Sequence, residues 1–262
     1  MQSSDKELVD RAFNEKLINI RKDNNFKHPE SDFLFETVRS KIFGKFQLKY
    51  VFVSSAPVDP EILDFFRIVL SCPTVEGYGM TEGHGVFFIS SPNDPISGHV
   101  GGPIISIEMK IIDAPELNYY TTYKNEKGKS EPRGEICLRG NYLFDGYFLM
   151  KQETEEAIDK DGWLHSGDIG IMLNNEVLKI IDRRKNIFKL SQGEYIAPEK
   201  VENVIKLSKY AIQSYAYGIS TKNYFVCLIV VEKDTILKLA EELGVSENRN
   251  AESLLKNGKF KK

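Results

Sequence analysis

Apolar residues recur at helical spacing where the chain opens: Leu8, Val9, Phe13, Leu17 and Ile20 over residues 6–22, then Phe33, Leu34, Val38 and Ile42 over 31–43. A helix repeats every 3.6 residues, so each set forms a stripe and the spacing predicts two amphipathic helices. The pattern then shifts to LKYVFVSS, a short run rich in valine and aromatics that reads as a strand. Asp59-Pro60-Glu61 comes next. Asp is a good helix cap and Pro suits a first turn, which predicts a helix through Ile62, Phe65, Phe66 and Val69. PTVEGY reads as another buried strand. Strand, helix, strand predicts a parallel α/β unit, and GYGMTE is expected to be the loop at the strand's carboxyl end, where open parallel sheets place their ligands.

From about residue 85 short strands alternate with Gly and Pro turns: GVFFIS, SIEMKIID, GEICLRG, then IGIML and EVLKIID with Asn174-Asn175 as the hairpin turn between them. ELNYYTTYKNEKGKSEPRG interrupts them as a polar loop, and its residues 124–129 read as solvated surface. After Asp182 the order is a strand (NIFKL), a turn (SQGEY), a helix opened by Pro198 with Val201, Val204 and Ile205, a hairpin (SYAYGISTKNYFVCLIVV), and a helix from about Asp234 with Ile236, Leu237, Leu239 and Leu243. The expected organisation is part of an α/β subdomain over 1–84, a β-rich subdomain over 85–181 and an α+β module over 182–262, with DRRK as a hinge at the last boundary. No internal repeat is apparent.

Composition narrows the function. The 262 residues are 41% hydrophobic and 28% charged, ordinary for a globular chain with a packed core. A formal net charge of -3 argues against a dedicated nucleic-acid binder, which needs a basic face. Cys72, Cys137 and Cys227 lack CxxC spacing, and His28, His84, His99 and His165 are scattered. Neither a zinc site nor a disulfide framework is expected, and a reducing compartment fits best. The N-terminal MQSSDKELVDRAFNEK is too charged for a secretory signal, and no apolar run approaches the roughly 18 residues that span a bilayer. An integral membrane protein is therefore not expected.

Three stretches carry candidate chemistry. EGYGMTE, residues 76–82, sets glycines around an aromatic, then a hydroxyl beside a carboxylate. Ring, hydroxyl and carboxylate suit base, phosphate and magnesium in turn, and a surface turn is the alternative. GWLHSGDIG, residues 162–170, holds Asp168 between glycines just ahead of an expected strand. That carboxylate suits the two hydroxyls of a ribose, or else simple turn chemistry. DRRKNIFKLSQGEYIAPEKVE, residues 182–202, brings Arg183, Lys185 and Lys189 near Gly193. Such cations suit a ribose or phosphoryl oxygen, or form a solvated loop.

Taken in order, VSSAPV, EGYGMTE, GHVGGP, RGEICLRG, FDGYF, DKDGWLHSGDIG and IIDRRKNIFKLSQGEYIAPEKVENV resemble the adenylate-forming enzymes, and specifically the long-chain fatty acyl-CoA synthetases. The resemblance runs from about Asp32 to the C-terminus, and its last two stretches are the most specific. It implies that Tyr78 lies against adenine with Gly77 and Gly79 allowing backbone approach, that Thr81 contacts phosphate, and that Glu82 holds Mg²⁺. Asp168 would bind the ribose hydroxyls, Arg183 and Lys185 would face the ribose, Lys189 would approach the α-phosphate, and the Gly193 loop would line the thiol's path. Ala56 and Pro57 would border the adenine. The usual glycine before that pair is absent, with Ser54 and Ser55 in its region, and Ser166 stands where the family usually has threonine.

The implied partners are a long-chain fatty acid, ATP with Mg²⁺, and coenzyme A. No nucleic acid and no obligate protein partner is implied. The expected location is the cytoplasm or the cytosolic face of an intracellular membrane, with peripheral membrane association of the longer protein. Two family parts find no match: the Ser/Thr/Gly-rich loop ending Pro-Lys-Gly that cradles the β- and γ-phosphates, and the late lysine of adenylation. Gly258-Lys259 is not that lysine, because LLKNGKFKK resembles the segment after the last helix. The expectation is therefore a C-terminal portion of a synthetase, inactive alone. The alternatives are a nucleotide-binding fragment and a non-catalytic interaction module on the same scaffold.

Overall fold

The computed structural model describes residues 3–173, 176–184, 186–242 and 244. The chain divides into two compact units, residues 1–181 and 182–262.

The first unit opens with α1 (Ser3–Asp23), α2 (Pro29–Phe43), β1 (Val51–Val53), α3 (Pro60–Leu70) and β2 (Thr74–Met80). Asp59 caps α3 as its composition predicts, accepting from the Glu61 amide at 2.8 Å, and Pro60 opens the first turn. The three helices pack around Ile20, Phe35, Ile68 and Val69. The buried faces differ in part from the predicted stripes. In α3 Leu63, Asp64, Arg67 and Ile68 turn inward, whereas Ile62, Phe65 and Phe66 are exposed. In α2 Phe35 is buried, and Phe33, Val38 and Ile42 are exposed. Apolar residues occupy more than one side of each helix, so spacing alone does not select the face that meets a neighbour. Lys16, fully buried, reaches the Asp32 carboxylate and Ser71 hydroxyl and ties the helices together.

β1 and β2 are parallel, with Val53 opposite Glu76, as a strand–helix–strand unit requires. β2 next turns through a 3-10 segment (Thr81–Gly83) into the antiparallel β3 (Gly85–Ile89), which pairs with β4 (Gly102–Pro103). GYGMTE is thus not a loop in its first half: 77–80 continue the strand across a bulge between Tyr78 and Gly79. The second sheet runs in order β5 (Ile107–Ile112), β6 (Arg133–Gly140), β7 (Leu164–Met172) and β8 (Leu178–Arg183), with α4 (Lys151–Ala157), an element the apolar spacing did not reveal, before β7. The expected turn at Asn174-Asn175 lies outside the described residues. Phe87 and Phe88 of one sheet and Ile136, Leu138, Leu164 and Leu178 of the other form a shared core.

The second unit contains the ribbon β9 (Phe188–Lys189) and β10 (Tyr195–Ile196), α5 (Pro198–Lys206), the hairpin β11 (Ala211–Gly218) and β12 (Phe225–Val231), and α6 (Lys233–Glu242). The Glu202 carboxylate of α5 accepts from the Ala216 amide at 2.8 Å, which fixes helix to hairpin. Leu243, residues 245–262 and with them Gly258-Lys259 lie outside the described residues. Among the described residues no helix is long and apolar enough to cross a membrane.

Candidate functional site

β1 ends opposite Glu76, and the loop carrying Ala56 and Pro57, both exposed, leaves from that point. β2 continues beyond it with Gly77, Tyr78, Gly79 and Met80. Both glycines have steric reasons. A Cβ on Gly79 would lie 1.8 Å from the Gly85 carbonyl oxygen, and one on Gly77 would lie 2.6 Å from the Phe52 ring. The bulge between Tyr78 and Gly79 increases local twist and re-aims the side chain.

Tyr78, half-buried, packs its ring against Phe87 and Phe88 at centroid distances of 6.1 and 6.2 Å. Its hydroxyl donates to Asp168 Oδ2 at 2.6 Å. Asp168 is buried and lies inside β7, not ahead of it as its glycine neighbours suggest. The strand accommodates Gly167 at φ +70°, and the Asp168 amide donates to the Ser166 hydroxyl, which itself donates to the Ile136 carbonyl at 2.7 Å. The hydroxyl kept at position 166 therefore helps fix the backbone under the carboxylate. Glu135, also buried, accepts from the Gly167 amide at 3.2 Å.

Thr81 is exposed at the start of the 3-10 segment, and Glu82, half-buried, follows it. Residues 142–147 grip this turn. The Phe144 amide donates to the Glu82 carbonyl at 2.7 Å, His84 Nδ1 lies 2.8 Å from the Tyr142 carbonyl oxygen, and the Tyr147 hydroxyl donates to Glu82 Oε1 at 2.6 Å. That bond to the carboxylate, with burial behind it, holds the Tyr147 phenol at about 12, so it keeps its proton throughout the neutral range. Magnesium characteristically takes one or two carboxylates and completes its shell with phosphate oxygens and water. A single carboxylate beside Thr81 on a partly open turn fits that pattern. Among the described residues no group of three or more His, Cys, Asp or Glu is placed to hold a metal by itself.

Behind the strand a second polar cluster is built into the scaffold. Glu76 accepts from the Gly98 amide at 2.9 Å, and burial pushes its carboxyl above the usual range. Arg67 Nη2 donates to the Thr74 carbonyl at 3.0 Å. His99 accepts the Gly101 amide on Nδ1 at 3.1 Å and places Nε2 3.1 Å from Asp94, while burial pushes its imidazole below the ordinary value.

The structure brings Tyr78 and Asp168 into contact and sets Gly77, Gly79, Thr81 and Glu82 along the same strand and turn. In the second unit Lys189, exposed, holds Nζ 5.0 Å over the Tyr195 ring, and Gly193 takes φ +93° in the β9–β10 turn, where its amide donates to the Leu190 carbonyl at 2.9 Å. Arg183 ends β8 and is exposed. Lys185 lies outside the described residues. Sequence reasoning assigned no role to Tyr147, Glu76 or His99. The sole signal for Tyr147 was its presence in FDGYF, since contact with Glu82, 65 positions away, has no periodic trace.

A family model described as AMP-binding enzyme matches residues 11–148. Fatty acyl-CoA synthetase A of Dictyostelium discoideum is 43% identical over 206 residues, covering 79% of this chain and 30% of that protein. Long chain acyl-CoA synthetase 7, peroxisomal, of Arabidopsis thaliana is 40% identical over 243 residues, 92% of this chain and 33% of that protein. Among solved structures, the A domain of carboxylic acid reductase from Segniliparus rugosus, in complex with AMP and a co-purified carboxylic acid, aligns with a TM-score of 0.65 at 27% identity, covering 93% of this chain and 39% of that one. The chain thus spans about a third of the length of these curated relatives.

Proposed function

We propose that this chain, which belongs to the AMP-binding enzyme family, takes part in the activation of a long-chain fatty acid to its coenzyme A thioester. In that reaction the fatty acid's carboxylate attacks the α-phosphorus of ATP, pyrophosphate leaves, and the coenzyme A thiol then displaces AMP from the acyl-adenylate. The fatty acid, ATP and coenzyme A are the substrates of this reading. No side chain has to act as a nucleophile. Positioning and charge cancellation supply the rate, as in other phosphate chemistry.

The observation that carries the reading is the meeting of Tyr78 and Asp168 at 2.6 Å beside an exposed Thr81. An aromatic face, a buried carboxylate and a hydroxyl in that order suit a purine, a ribose and a phosphate. Magnesium, when bound, neutralises phosphate charge. Glu82 is the residue that would hold it, while Gly77 and Gly79 keep the strand slim enough for a ring to lie against it. Ala56 and Pro57 would border the base. Arg183, Lys185 and Lys189 would supply cations to ribose and α-phosphate, and the Gly193 turn would flank the thiol. The names of the similar proteins support fatty acids as the acid substrate. Three widely spaced cysteines suit a reducing compartment, and we place the protein in the cytoplasm or at the cytosolic face of a membrane.

Thermal-shift titration of the full chain with a non-hydrolysable fatty acyl-adenylate mimic tests this. Binding to the folded state raises its stability as ligand concentration exceeds Kd. The expected result is a saturable rise in melting temperature that Asp168→Ala abolishes. No shift with the unaltered chain would end the nucleotide reading.

A further inference from the structure

We propose that Tyr147 is a positioning residue that orients the Glu82 carboxylate toward a divalent cation, an inference that rests on the nucleotide reading above. Its hydroxyl donates to Glu82 Oε1 at 2.6 Å, a charge-assisted hydrogen bond. The tyrosine is itself held in place. Its amide donates to the Thr154 hydroxyl at 2.9 Å, that hydroxyl donates to the Met150 carbonyl at 2.8 Å, and its ring meets Phe144 edge-on at 4.9 Å. Phe144 in turn donates its amide to the Glu82 carbonyl.

One short segment therefore grips Glu82 twice, by backbone and by side chain. A half-buried glutamate on a partly open turn otherwise samples several rotamers, and ordering it on metal binding costs free energy. A hydroxyl that fixes one carboxylate oxygen removes that cost beforehand and turns the other oxygen to the cation. Outer-shell partners of metal-binding carboxylates act in this way, and their loss typically lowers metal affinity about 10- to 100-fold. Gly146 sits at φ +144°, and a Cβ there would lie 2.4 Å from Thr154 Cγ2, so the approach of the tyrosine to the turn depends on a glycine in FDGYF.

The test uses the full chain and Tyr147→Phe, which keeps the ring and its packing. Two affinities are measured by calorimetry: that of the metal-free acyl-adenylate mimic, and that of ATP as a function of Mg²⁺. Mn²⁺ replaces Mg²⁺ in a parallel EPR titration that reads the bound metal directly. The expected result is a mimic Kd unchanged within about twofold and a metal midpoint raised about tenfold. Glu82→Gln should raise the midpoint at least as far, and adding Tyr147→Phe to it should change nothing more, because the hydroxyl acts only through that carboxylate. A tether that merely holds two loops together would weaken mimic and metal binding alike and would act equally in the Glu82→Gln background; that outcome overturns the inference. So does an unchanged metal midpoint in Tyr147→Phe alongside normal mimic binding, which leaves the nucleotide reading standing. Failure of the unaltered chain to bind the mimic overturns both.

Discussion

The two halves of β2 set similar polar groups in different surroundings. Thr74 to Glu76 pair with the parallel β1 and lie over α3, where Arg67 holds the Thr74 carbonyl, the Ser90 hydroxyl accepts the Glu76 amide, and the Glu76 carboxylate takes the Gly98 amide. From Gly77 onward the strand pairs with β3 across a bulge, and its polar tips meet side chains from far along the chain: Asp168 for Tyr78, Tyr147 for Glu82. The first half spends its charges on holding backbone, where an unpaired group would cost about 1–3 kcal/mol. The second half places its groups on partly exposed backbone, where a ligand can share or replace a contact at little cost to the fold. One continuous strand therefore serves as scaffold at one end and as a binding edge at the other.

The comparison is broken most severely by Gly79→Ala, whose methyl would collide with the Gly85 backbone at the bulge. A loss of more than about 3 kcal/mol is expected in chemical denaturation, since backbone cannot yield as a side-chain tip can. Arg67→Met comes next. It leaves the half-buried Glu76 without its cationic neighbour and the Thr74 carbonyl without its donor, while Asp64 keeps its ion pair with Arg21 at 2.9 Å, and should cost about 3 kcal/mol, yet the folded variant should bind the acyl-adenylate mimic normally. Weakened binding there would mean that the two halves do not act separately.

Asp168→Asn should show the converse: mimic affinity lower by about 1.5–3 kcal/mol in calorimetry, as expected for hydrogen bonds to a charged group, with a small change in melting temperature. A smaller pair of effects depends on pH. Burial lowers the folded pKa of His99 from its ordinary 6.5, so below that value the unfolded chain binds a proton that the folded chain refuses, and stability is lost as pH drops below 6.5. Burial raises Glu76 above 4.5, so the folded chain keeps its proton longer than the unfolded one, and stability falls as pH rises through the window just above 4.5. His99→Gln and Glu76→Gln should each flatten their own window in melting curves taken across pH. A profile left unchanged by either would show that the residue is not desolvated. Smallest of all, Lys189→Gln, at an exposed position, should change stability by no more than about 0.5 kcal/mol.

Local chemistry was legible wherever a residue's own backbone preference decided the outcome. Asp59-Pro60 starts α3, Pro198 starts α5, and the valine-rich runs at 51–53 and 225–231 are strands. Legibility failed where two faces of one element were equally apolar. Phe33 and Phe65 belong to predicted stripes but are exposed, and the buried side of α3 contains Asp64 and Arg67. It failed again at GYGMTE and GWLHSGDIG, where glycine suggested turns. At 79 the glycine instead permits a close strand crossing, and at 167 it permits a positive φ within a strand.

The amino-acid sequence by itself determined the helix starts, the alternation that builds strands, and the family to which the chain belongs, because each resides in residue types at short or ordered spacing. Only the tertiary structure decided which side of each helix is buried and which groups meet. Tyr78 and Asp168 are 90 positions apart, and Glu82 and Tyr147 are 65 apart. Such contacts arise from sheet pairing and from a core shared between two sheets, and these are long-range choices that no local pattern encodes.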